Sequence, residues 1–184
     1  LSAPGGAIQL ASAVGSNIRL GTLTFSDALN ITTAAITANA IVQAAGSGTT
    51  TFNGDLNVSG SGISLTGSAF AFNANATASG AGTIAISNGG TLATTAGKTI
   101  SAAGGFTQSG AGNLSLAGTI STSGTSLSLG TLAGPNGAIT LTGTTTLSTG
   151  ASTGVLTIYQ TIDGAQTLTI TAGTAVNLNG AIGG

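Results

Sequence analysis

The sequence predicts an all-β chain wound as a parallel β-helix, a solenoid of about three short strands per rung and about nine rungs at roughly 20 residues each. Three observations point there. Short words alternate an apolar residue with a small polar one, the period-two mark of a strand with one buried face. The connections between words are too short for helices. And only 3% of the 184 residues are charged, where about 25% is usual.

The words run along the whole chain: LTF (23–25), LNI (29–31), LNV (56–58), ISL (63–65), FAF (70–72) and IAI (84–86). LSL follows at 114–116 and 127–129, ITL at 139–141, LTI at 156–158 and 168–170, and VNL at 176–178. β-Branched Thr, Val and Ile suit strands, and the 32 glycines weaken a helical alternative. Successive words often begin about six to eight residues apart. Hairpins could use such links, but their best signals, Asn-Gly and Asp-Gly, are fewer than the junctions. They occur at Asn53, Asn88, Asn136, Asp163 and Asn179, at intervals that do not suit hairpins.

A coil uses the same words differently. Loose echoes support it: GAGTIAIS from Gly80, GAGNLSLAG from Gly110 and GAITLTG from Gly137, with TTTFNGDLNV from Thr49 echoing TAVNLNGAIGG from Thr174. Their spacing varies, so the expected repeat is degenerate, with variable corners. Residues 34–45 (AAITANAIVQAA) are rich enough in Ala for a short helix, but the flanking words favour a rung. Pro4 and Pro135 sit beside glycines and read as corners, as does Asp163. No linker interrupts the pattern, so residues 1–184 form one domain, expected to be a segment or processed subunit of a longer repeat protein.

The scarcity of charge has a physical reading in such a coil. Equivalent residues of neighbouring rungs stack about 4.8 Å apart, and a charge repeated at one ladder position would face its own kind on both sides. Thr, Ser and Asn can stack and exchange hydrogen bonds instead. Ala and Gly suit a narrow interior.

The run TIDGAQTLTITAGTAVNLNGAIGG (161–184), and more weakly GTTTFNGDLNVSGSG from Gly48, resembles the β-strand repeats of large bacterial surface exoproteins. These are the filamentous-haemagglutinin-like proteins and the passengers with autotransporter-associated repeats. The likeness lies in pattern and composition over the whole chain. It implies a right-handed parallel β-helix, secretion to the bacterial cell surface, and an adhesive or scaffolding role. It carries over no catalytic residue.

The residues themselves offer little chemistry. His, Cys, Met, Trp and Glu are absent, and the carboxylates are Asp27, Asp55 and Asp163, far apart in the chain. They read as solvated corner residues. Serine and threonine have no base to activate them, and Lys98 reads as an exposed rung residue. No nonapeptide or acidic cluster suits calcium, and GGAIQLASAVG from Gly5 lacks the Lys-Ser/Thr of a phosphate loop. The expectation is no enzyme, and no catalytic, cofactor-binding or metal-binding residue.

Arg19 and Lys98 cannot neutralise a nucleic-acid backbone, and no apolar run of about 20 residues suggests a membrane span. The sequons headed by Asn30, Asn57, Asn75 and Asn113 are frequent by chance in so Ser/Thr-rich a chain. Phe70 and Phe72 read as core. The Thr-x-Thr words beginning at Thr22, Thr140, Thr144 and Thr167 resemble the flat faces of ice-binding solenoids, but their uneven intervals read as ordinary solvent-facing threonines.

Neither AIQLASAV near the start nor VNLNGAIGG near the end carries a charged covering segment. The expected function is therefore structural: an extracellular building block that stacks strand edge on strand edge, on copies of itself or on continuing repeats, into a fibre, sheath or surface layer. The alternative is an adhesin shaft or binding module for surface glycans or matrix.

Overall fold

The computed structural model describes residues 1–134 and 136–183. Pro135 and Gly184 lie outside them. Among the described residues there is no helix, and nineteen strands join one continuous sheet that winds on itself. Strands of successive rungs pair in parallel, so the chain is a β-solenoid of about eight turns. Ile182 opens a ninth through a single bridge to Ile162. Eight turns and the start of a ninth agree with the sequence estimate of about nine rungs.

Three faces run the length of the coil. Face one stacks Ser2–Leu10, Asp27–Thr33, Thr49–Phe52, Ala69–Phe72 and Leu92–Thr94, then the first parts of Leu114–Thr122 and Ile139–Ser148, then Ile162–Asp163. Face two begins with a bridge from Val14 to Ile36, in the first part of Ile36–Gln43. It continues through Leu56–Gly67, Ala76–Ser79, Thr99–Ala102, the second parts of Leu114–Thr122 and Ile139–Ser148, and Leu168–Thr171. Face three runs from Leu20–Phe25 through the later parts of Ile36–Gln43 and Leu56–Gly67 to Thr83–Asn88. Phe106–Ser109, Leu127–Leu129, Val155–Ile158 and Ala175–Leu178 complete it.

The interior ladder explains why this sequence coils. On face one Ile31, Thr50, Phe70, Leu92, Leu114, Ile139 and Ile162 stand one above another, all buried. Face three stacks Ile41, Ile63, Ile84, Phe106, Leu127 and Leu156 in the same way. The apolar position of each word thus meets its counterpart in the rungs on either side. At roughly 25 cal/mol per Å² of buried apolar area, each such side chain contributes about 1.5–3 kcal/mol. Two of the core aromatics stack: Phe52 lies under Phe72 with ring centroids 4.9 Å apart. Phe70 and Phe72 are core residues, as read from the sequence.

Polar groups inside the coil sit on ladder positions too. Gln43 occupies a column with Phe25 and Leu65, and its Oε1 accepts from the Thr50 hydroxyl at 2.8 Å. Gln108 shares a column with Ile86 and Leu129. Its Nε2 donates to Asn88 Oδ1 at 2.7 Å, and its Oε1 accepts from the Gly130 N–H at 3.0 Å. Asn88 Nδ2 in turn donates to the Gly90 carbonyl. One side chain so ties three successive rungs together.

Some strands run unbroken through a corner, and glycine makes this possible. Leu56–Gly67 turns from face two to face three at Gly60 and Gly62, both at positive φ. A Cβ on Gly62 would collide with the backbone of Thr83 on the next rung. At other corners asparagine closes the gap: Asn73 Nδ2 donates to Asn53 Oδ1 at 2.9 Å, and Asn75 Oδ1 accepts from the Thr99 N–H at 3.0 Å.

The structure corrects three local readings and bears out a fourth. Pro4 lies inside the strand Ser2–Leu10, at an irregularity between Ala3 and Ala7 where the register shifts, not at a corner. Its missing N–H costs no ladder bond there. Asp27 and Asp163 lie on strands, opposite Ser2 and Thr140, and not at corners. In the word LNI, Ala28 and Ile31 face the core while Leu29 and Asn30 both face out, so strict alternation fails beside that same irregularity. Residues 34–45 form a rung without helix.

Candidate functional site

The three carboxylates are dispersed by the coil. Asp27 opens face one of the second rung and Asp163 sits on face one of the eighth, about 29 Å away at 4.8 Å per rung. Asp55 lies at the corner between faces one and two of the third rung, where its Oδ1 accepts the Asn75 N–H at 3.0 Å and Asn75 Nδ2 at 3.3 Å. It serves as a corner cap. Asp27 and Asp163 thus lie far outside the roughly 5–9.5 Å range that glycoside hydrolysis uses.

Lys98 and Arg19 are structural in their contacts. The Lys98 N–H bonds to the Thr95 carbonyl, closing a turn, and its carbonyl accepts from Thr119 on the next rung. Arg19 Nη1 donates to the Ala38 carbonyl at 2.7 Å and to the Asn57 carbonyl at 2.8 Å. Its guanidinium staples three rungs. Among the described residues no group of three or more His, Cys, Asp or Glu could hold a metal, and no helix is long and apolar enough to cross a membrane.

The sequons head exposed or half-buried asparagines that serve the coil. Asn30 Oδ1 accepts the Thr49 N–H, Asn113 Oδ1 accepts the Ala138 N–H, and Asn57 Oδ1 accepts from Arg19.

Two open grooves cross the surface. One, of about 420 Å³, runs along the corner between faces two and three, lined by Thr83, Gly105, Thr107, Thr125, Ser126 and Thr153. Hydroxyls and backbone are its only polar groups. The other, of about 200 Å³, lies between Gln9, Leu10, Thr33 and Asn53 beside the first rung. Neither contains a group that could act as a base.

The Thr-x-Thr words singled out in the sequence do not share one surface. Thr22 and Thr24 lie on face three of the first rung, and Thr140 on face one of the seventh. The words from Thr144 and Thr167 do align, with Thr146 beside Thr169 on face two. Sequence reasoning missed that this column continues upward through Thr119 to Thr99.

The terminal rungs differ from the middle ones. Leu127 and Leu156 on face three are fully buried, while Val176, next in the same column, is 44% exposed. Leu178 is 41% exposed below a buried Ile158. At the opposite end Ile8, Leu10, Leu20 and Leu23 are only partly buried. The outer backbone edges of these rungs have no strand against them among the described residues.

No family model, no curated protein and no solved structure matches this chain.

Proposed function

We propose that this chain is a structural, non-catalytic β-solenoid that works outside the bacterial cell, where rungs stack edge on edge into a fibre, sheath or surface layer. The observation that supports it is the contrast within one ladder, from a fully buried Leu156 to a 44% exposed Val176. An apolar column with an open backbone edge is a template for another parallel strand. A second copy or a further rung of the same chain supplies one, and the first rung presents a half-covered Leu23 in that same column. The ladder hydrogen bonds give such a joint direction, and the stacked apolar positions give it energy.

An adhesin shaft that takes surface glycans is the second reading, favoured by the hydroxyl-lined groove between faces two and three. That groove lacks the aromatic platform on which sugars commonly stack, so the structural reading stands first.

Electron microscopy of the purified chain at rising concentration tests the proposal. The expected result is filaments of uniform width, abolished when Val176 and Leu178 are both replaced by Lys in a chain that keeps its β-sheet spectrum. A wild-type chain that stays monomeric at high concentration overturns it.

A further inference from the structure

We propose that face two of the last four rungs is an ice-binding surface. Its outward residues form a two-column array. Thr99, Thr119, Thr146 and Thr169 stack in one column, and Ser101, Ser121, Ser148 and Thr171 in the other. Between the columns Ile100, Ile120 and Leu147 point inward and are at most 2% exposed, and Ile170 below them is partly buried, so each strand turns its hydroxyl side outward.

The array repeats in two directions. Along the coil the hydroxyls recur about every 4.8 Å, and across each strand, two residues on, about every 6.6–6.8 Å. Both intervals lie close to oxygen repeats on the surfaces of hexagonal ice. A ligand that is itself a two-dimensional lattice can meet all eight positions at once, and many weak contacts then act together.

The hydroxyls are available for it. No other described group hydrogen-bonds to those of Thr99, Thr119, Thr146, Ser101 and Ser121, whereas Ser148 Oγ accepts the Gly150 N–H at 3.1 Å. Threonine is β-branched and stiff at χ1, so each hydroxyl and methyl is held in place before contact and little rotamer freedom is lost. The strands that form the array carry no charge and no aromatic ring, which disfavours nucleic acid, acidic polymers and sugar stacking. The other faces break the pattern: the equivalent outward column of face three reads Val42, Ser64, Ala85, Thr107, Ser128, Thr157 and Asn177.

Partition of the full, fluorescently labelled chain into slowly growing ice tests the proposal, with a non-binding protein as reference. Wild type is expected to be enriched in the ice, and so is a Ser64→Lys variant, altered on face three. A double variant, Thr119→Lys with Thr146→Lys, is expected to fall to the level of the reference with its circular dichroism unchanged. If that variant fails to fold, Thr119→Ala with Thr146→Ala is expected to show the same loss. The proposal is overturned if wild type is excluded from ice like the reference, or if the folded face-two variant partitions as wild type does.

Discussion

At the scale of single residues, buried amides decide where this coil is strong and where it is not. Gln108 is 0% exposed and has its partners in Asn88 and Gly130. Gln160 is 2% exposed, yet neither its Nε2 nor its Oε1 has one. A buried polar group left without a hydrogen bond costs about 1–3 kcal/mol. The two glutamines should therefore respond oppositely to the same change. Gln108→Leu strands the buried Asn88 Oδ1, while the Gly130 N–H keeps the Gln108 backbone carbonyl, and is expected to destabilise by about 1–3 kcal/mol. Gln160→Leu removes two unpaired atoms and is expected to stabilise by about 1–3 kcal/mol. Urea denaturation of both variants reads the difference. Loss of stability in Gln160→Leu equal to that in Gln108→Leu would show that the Gln160 amide is satisfied after all.

At the scale of strands, what the sequence revealed depends on the face. Faces one and three were largely legible, because words such as FAF, IAI and LSL set large apolar residues two apart. Face two was mostly illegible. Its inward positions are filled by Ala76 and Ala78, by Ile100 with Ala102, and by Ile120 with Thr122. Small residues fit a narrow interior but leave no alternation of hydropathy to read, so ATAS, TISA and GTIST were passed over. The face-two threonine array was lost with them, and for a second reason. Its rungs are 20 residues apart from Thr99 to Thr119 but 27 from Thr119 to Thr146, because corners vary while registers do not. The echo between residues 49–58 and 174–184 misled differently: the first turns from face one to face two, the second from face three to face one. A strand–corner–strand unit looks alike at any corner. Phe72 is 1% exposed and stacks on Phe52, so Phe72→Ala is expected to cost about 3–5 kcal/mol. A shift in the denaturation midpoint with unchanged slope checks it; a loss below 1 kcal/mol would mean that the rungs around Phe52 collapse to fill the space.

At the scale of the whole molecule, the coil has two kinds of surface. Its long faces are closed ladders with small, neutral side chains. Its first and last described rungs carry half-exposed apolar residues on edges with no strand against them among the described residues, and the proposed function rests on further rungs stacking there. Lys at Val176 and Leu178 places two positive charges in a position where each must meet an apolar column, which is why assembly should fail while the fold persists. The most direct test of rung-on-rung assembly is cryo-electron microscopy of filaments grown from the purified chain. The expected density is a ladder of strands about 4.8 Å apart that continues without a break from Ala175–Leu178 of one copy into the first rung of the next. A chain that remains monomeric at high concentration, or filaments in which copies meet side by side with their end rungs still open, would contradict it.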